Sequence, residues 1–241
     1  MRLNSIAIYI GKEAKNRPTF QVNFGGVDLL YSSFLGKKND YNISQINIFF
    51  TSSHLEIDKL EVFGKILNYY CLFDFNEFST LKEDYLKRKI ILDHIHRAVL
   101  NICQIENYDT NTFDDVYQKC LQKEIKCNWL FENKLFISPN KMYHIGLESR
   151  IDFADFEIHE VLFDADKNEI SRRVCFKSPT STFTIKWASW EKQNDVFYYS
   201  FNGNPKKFQV GPKKIFKCVI TDLIAKKPYT LPKNVSEYFK N

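Results

Sequence analysis

The sequence predicts an α+β fold: an N-terminal antiparallel meander, three central helices and a larger, twisted C-terminal antiparallel sheet. Three observations carry this. Between about residues 55 and 126 apolar residues recur at three- and four-residue steps, the period of a helix with one buried face. After Cys127 the pattern changes to short alternating runs separated by turn signals, the period of half-buried strands. Strands and helices are segregated along the chain, which favours α+β over a doubly wound sheet. The 241 residues read as one domain, with a two-lobe split near 126–140 as the alternative.

At the N-terminus Ile6, Ile8 and Ile10 alternate with polar or smaller neighbours, as do Phe20, Val22 and Phe24, and Ile46, Ile48 and Phe50. Period two puts each set on one core-facing side. Gly25-Gly26 punctuates the second strand and residues 36–40 form a polar loop. Residues 55–72 are expected to be the first helix, from Leu60, Phe63, Ile66, Leu67 and Tyr70. Thr80, with Glu83 three residues on, forms a capping box for the second. Leu81, Tyr85, Leu92, Ile95, Val99 and Ile102 make its stripe, with Arg88 inside it. Phe113, Val116, Tyr117, Cys120 and Leu121 mark the third, whose first turn holds Asp114 and Asp115, suited to the positive end of the helix dipole.

The strands that follow are expected near 128–137, 142–151, 155–163, 170–177, 182–190, 196–201, 207–210 and 214–221. Their turns are Pro139-Asn140, Asp164 to Asn168, Ser178-Pro179, Asn202-Gly203 and Gly211-Pro212. Val235–Phe239 is expected to add a helical turn.

A hydrophobic content of 44%, with 22 Phe and 13 Tyr, is ample for a folded core. Asn4 and Ser5 break the first apolar run, which falls short of the roughly 7–15 residues of a secretory h-region. No window approaches the roughly 18 apolar residues of a membrane span. The six cysteines are scattered without a CxxC, the pattern of reduced thiols. A cytoplasmic protein without membrane association is expected.

Net charge is +5, unevenly spread: residues 168–241 hold 14 Lys and Arg against 5 Asp and Glu, and residues 1–167 hold 20 against 24. In the basic region Arg172, Arg173, Lys206, Lys207, Lys213 and Lys214 are interleaved with Trp187, Trp190, Tyr198, Phe208 and Phe216. Such residues can neutralise phosphates and stack bases, or can solvate strand edges and deter pairing between sheets.

Asp155, Glu157 and His159 share one face if this segment is a strand, with Glu148, Arg150 and Asp152 beside them if the preceding strand pairs with it. Carboxylates with an imidazole are candidates for a catalytic acid–base pair or a divalent-metal ligand set; the competing reading is the wet side of a sheet. His94 and His96 diverge by about 200° on a helix and cannot share an ion. His159-Glu160 opens like a zincin motif, but Phe163 stands where the second histidine belongs. Asp164 to Asn168 opens like an EF-hand loop, but Glu169 and Cys175 occupy its glycine and bidentate-glutamate positions. None of the glycines builds a phosphate-cradling loop.

The functional expectation is a non-catalytic cytoplasmic protein-binding protein, such as an inhibitor or immunity-type partner of a toxin or enzyme, with no cofactor and no bound metal. The alternatives are a nucleic-acid-binding protein using the basic C-terminal sheet and a metal-dependent hydrolase on the 155–159 strand.

Overall fold

The computed structural model describes residues 3–10, 24–35, 42–153, 155–178, 184–190, 196–202 and 215–229. The chain divides into two compact units, Met1–Cys127 and Asn128–Asn241, and the content is α+β.

In the first unit β1 (Ser5–Ile10), β2 (Gln45–Thr51), β3 (Leu60–Phe63) and β4 (Ile66–Leu72) form a sheet of order β1-β2-β4-β3. Pairings β1–β2 and β2–β4 are parallel, and only β3–β4 is antiparallel. This corrects the expected meander. A parallel return needs a crossover, and α1 (Val27–Ser33) lies between β1 and β2. Gly25 and Gly26 lead into it at φ 61° and 69°, a left-handed conformation that glycine adopts at little cost. Phe24 precedes this turn rather than sitting in a strand; Phe20 and Val22 lie outside the described residues, as does the loop at 36–40.

Helix α1 also seals β1. The Ser32 hydroxyl accepts from Ile6 N at 2.8 Å and bonds Ile6 O at 3.1 Å. The Asp28 carboxylate accepts from Ile8 N–H, although burial pushes its pKa up. Backbone groups of a strand at the sheet's margin thereby gain partners without a further strand.

The helix expected over 55–72 is instead the β3–β4 hairpin. Leu60, Phe63, Ile66, Leu67 and Tyr70 satisfy helical spacing, but the hairpin divides them between its two faces: Leu60 and Leu67 share the side of buried Tyr69, and Phe63, Ile66 and Tyr70 share the other. Gly64 turns the hairpin at φ +61°, a conformation that strains any L side chain although nothing lies within 4 Å of its Cβ position.

The three central helices are α2 (Phe75–Thr80), α3 (Asp84–Glu106) and α4 (Asn111–Gln122). Asp74 caps α2, its carboxylate accepting from Asn76 N and Glu77 N, both at 2.9 Å. Thr80 ends α2 and spends its hydroxyl on Glu77 O at 2.7 Å, so the expected capping box does not form. The stripe on α3 is buried at Ile91, Leu92, Ile95, Ala98, Val99 and Ile102, with Arg88 also buried; α4 buries Phe113, Val116 and Cys120. Helices α1 and α3 pack against this sheet, whose apolar side carries Ile6, Ile46, Ile48, Phe50, Leu67 and Tyr69, and α4 packs on α1 and α3.

In the second unit β5 (Cys127–Leu130), β7 (Tyr143–Ile151), β8 (Phe156–Asp164) and β9 (Glu169–Ser178) run in that order, with β6 (Phe136–Ile137) also on β7. A second sheet comprises β10 (Thr184–Trp190), β11 (Val196–Asn202) and β12 (Ile215–Val219). Described pairings β6–β7, β7–β8, β8–β9, β10–β11 and β11–β12 are antiparallel, as expected. The strand expected over 128–137 is broken where Glu132 and Asn133 take positive φ. The one expected over 214–221 gives way to α5 (Ile220–Ile224), which packs against β9 and β12. Residues 207–210, the turn at Gly211-Pro212 and residues 235–239 lie outside the described residues. The sheets meet through Phe136 and Phe197, ring centroids 5.1 Å apart, and Trp190 Nε1 donates to Phe136 O at 3.0 Å.

Candidate binding surface

Strand β8 divides its residues by parity. Phe156, Ile158, Glu160 and Leu162 share the inner side, all buried. Glu157, His159, Val161 and Phe163 share the other, where His159 and Val161 are also buried and Glu157 and Phe163 are half-buried. The register sets Glu157 between Arg150 and Lys177, and His159 between Glu148 and Val174. The sequence expectation that Glu148 and Arg150 flank the 155–159 segment is met.

On this outer side the charges pair with one another. Lys177 Nζ lies 2.8 Å from Asp155 and 3.2 Å from Glu157. Arg172 holds Glu148 at 2.7 Å through Nη1 and Glu169 at 3.0 Å through both Nε and Nη2. Arg150 meets Asp152 at 2.9 Å. The Arg172 hydrogen bond draws the Glu169 carboxyl below its usual range, and the bonds to Asp155 and Glu157 raise Lys177. His159 Nε2 lies 2.9 Å from Glu157 Oε2, while its buried Nδ1 makes no hydrogen bond among the described residues.

Lys177 thus occupies the place between Asp155 and Glu157 that a divalent ion would take. Among the described residues no group of three or more His, Cys, Asp or Glu side chains is arranged to hold a metal. The Glu157–His159 pair can share a proton, but the second imidazole nitrogen is sealed from solvent, so a water or substrate cannot reach it without local opening.

Arg172 and Arg173, adjacent in sequence, point to opposite sides. Arg173 turns inward, where its Nε donates to Glu160 Oε2 at 2.6 Å. Glu160 has no exposed surface, and its Oε1 accepts from the Tyr199 hydroxyl at 2.6 Å. Burial pushes the Glu160 carboxyl up, against the pull of Arg173 and Tyr199. The Arg173 guanidinium also lies over the Tyr229 ring, 4.9 Å from its centroid. Sequence reasoning grouped the two arginines and missed Glu160 as a core charge. The available signal was the period of two, which places Glu160 in register with Ile158 and Leu162. Lys206, Lys207, Lys213 and Lys214 lie outside the described residues.

Of the interleaved aromatics, Trp190 and Tyr198 are half-buried, and the alternating neighbours of Tyr198, Phe197 and Tyr199, are fully buried. The first unit carries an aromatic row of its own, Tyr9, Phe49 and Tyr70, with centroids 5.2 and 4.9 Å apart and planes within 23° and 17°. Rings stacked at strand spacing cover one another's faces and leave edges outward, which is not a base-stacking platform.

His94 and His96 do separate. His94 bonds Ile90 O at 2.8 Å and packs edge-on against Phe50 and Phe73; His96 faces Asp114 at 3.1 Å. Asp164 to Asn168 is a polar turn, Asn168 N donating to Asp164 Oδ1 at 2.8 Å. A shallow cleft of about 190 Å³ at the ends of β2 and β4 is lined by Ser52, His54, Leu72, Phe73, Asp74, Phe75 and Asn76. Among the described residues no helix is long and apolar enough to cross a membrane.

Compared with protein-family models, curated proteins and solved structures, the chain matches none.

Proposed function

We propose that this chain is a non-catalytic protein-binding protein, an inhibitor or immunity-type partner of a toxin or enzyme, and that it meets its partner through the outer side of β7, β8 and β9. The observation that supports this is the pairing of that surface with itself. Arg172 is clamped by Glu148 and Glu169, and Lys177 by Asp155 and Glu157, so the charges hold their positions before a partner arrives. Ordered side chains lose less entropy on association, and a fixed alternation of sign selects register and excludes wrong partners. The five carboxylates Glu148, Asp152, Asp155, Glu157 and Glu169 outnumber the cations Arg150, Arg172 and Lys177, so the partner surface is basic on balance. Nucleic-acid binding is disfavoured here, because Arg172 and Arg173 reach a phosphate only by breaking ion pairs. The described cysteines are free thiols, which supports a reducing, cytoplasmic setting.

The test is affinity capture from the native host, with and without nuclease treatment. A protein captured in both conditions, and lost with Glu148→Lys or Asp155→Lys but retained with Asp115→Lys on α4, is the expected result. Capture abolished by nuclease, or indifferent to the sheet substitutions, overturns the reading.

A further inference from the structure

Three helices of the first unit converge on His96. Its Nε2 lies 3.1 Å from Asp114 Oδ1 on α4, and its Nδ1 lies 3.1 Å from the Tyr31 hydroxyl on α1. The ring is stacked on Tyr117 of α4, centroids 4.4 Å apart. The Tyr31 hydroxyl has a second acceptor within reach, Phe113 O at 3.3 Å. It carries one proton and cannot donate fully to both.

The protonation state of the imidazole decides between them. In neutral His96 with its proton on Nε2, that nitrogen donates to Asp114 and Nδ1 accepts from Tyr31. When Nδ1 takes a proton from solvent it becomes a donor to the Tyr31 oxygen, and the hydroxyl proton is released toward Phe113 O. Both states keep both ring nitrogens bonded. We propose that this junction is a proton-operated switch: proton uptake by His96 reverses its hydrogen bond with Tyr31 and adds a bond from α1 to the backbone of α4.

The groups facing His96 set its range. Asp93 on α3 and Asp114 on α4 favour the imidazolium, and Tyr31 on α1 serves either state. Lys89 on α3 is held by Asp93 at 2.6 Å and by the Tyr117 hydroxyl at 2.9 Å, so its charge is largely answered locally. Burial opposes the imidazolium and outweighs the carboxylates, holding His96 below the ordinary value of 6.5. The unfolded chain therefore binds this proton more readily than the fold does. The contribution of His96 to stability is complete above the ordinary histidine range and declines as pH falls through it.

Nitrogen-15 resonances of the His96 ring and the carbonyl carbon-13 resonance of Phe113, followed together through a pH titration, test the proposal. The expected result is the Nε2–H tautomer at neutral pH and a Phe113 carbonyl shift with the His96 midpoint. In Tyr31→Phe the imidazole still titrates but the carbonyl no longer follows it. Asp114→Asn, which keeps the hydroxyl, lowers both midpoints together. An Nδ1–H tautomer at neutral pH, a carbonyl that ignores the titration, or a carbonyl response surviving in Tyr31→Phe overturns the switch. His94, also held below the usual range by burial, is the internal control, since its titration leaves the Phe113 carbonyl unmoved.

Discussion

Beneath the sheet of the first unit the packed side of α3 is built from Ile91, Leu92, Ile95, Ala98, Val99 and Ile102, and its buried cation, Arg88, lies near the helix start. The inner side of the second unit's larger sheet instead carries Glu160 at its centre, held between Arg173 and Tyr199. An apolar core loses stability in proportion to the volume removed. An ionic core penalises a half-removed pair more than a wholly removed one, because the remaining charge is stranded in a medium that cannot solvate it. The first arrangement tolerates gradual change, and the second ties two strands to one another's identity.

The sharpest way to break this comparison is Arg173→Met. Stranding Glu160 is expected to cost about 3–5 kcal/mol, while Arg173→Met combined with Glu160→Leu recovers much of that loss in urea denaturation. A double variant worse than the single one would place the second unit's core in the same class as the first. Ile95→Ala, at the middle of the α3 stripe, is expected to cost about 2–4 kcal/mol; a melting temperature within a degree of wild type would remove α3 from the core. Tyr199→Phe leaves Glu160 Oε1 one donor short and is expected to cost about 1–3 kcal/mol, with a loss below Arg173→Met as the check on the order. On the outer side of the same sheet, Lys177→Met is expected to leave stability nearly unchanged, since an exposed ion pair is screened by solvent. Zinc or manganese is expected to leave the wild-type melting temperature unchanged. A metal-dependent rise in Lys177→Met, abolished by adding Glu157→Gln, would instead reveal a latent ion site beneath the lysine.

What the sequence disclosed follows from how each element declares itself. The α3 and α4 stripes and the strands from Tyr143 to Ser178 were legible, because long runs of one period have few competing readings. The β3–β4 hairpin was not: Leu60, Phe63, Ile66, Leu67 and Tyr70 keep helical spacing although the hairpin splits them between two faces, and Gly64 was the deciding residue. The parallel pairing of β1 with β2 was hidden because α1 is short, although Val27, Leu30 and Tyr31 after Gly25-Gly26 carry helical spacing. The charged outer side of β8 was visible from Asp155, Glu157 and His159 alone. Its pairing with Arg172 and Lys177 was not, since register across β9 depends on shifts between Ile158 and His159 and between Leu162 and Phe163, which local sequence does not announce.

The hold of Ser32 and Asp28 on β1 bears on how the first unit emerges during synthesis. Strand β1 and helix α1 lie within the first 33 residues, whereas β2 ends at Thr51 and the central pairing awaits β4 at Leu72. Chains grow at about 5–20 residues per second, so the interval before β2 and β4 follow is seconds long. Because Ile6 and Ile8 find their bonds on α1, this early pair can form from nascent chain alone and shield backbone that would otherwise wait unpaired beside the ribosome. Ser32→Ala is then expected to lower soluble yield on vectorial synthesis more than it lowers refolding of the finished chain.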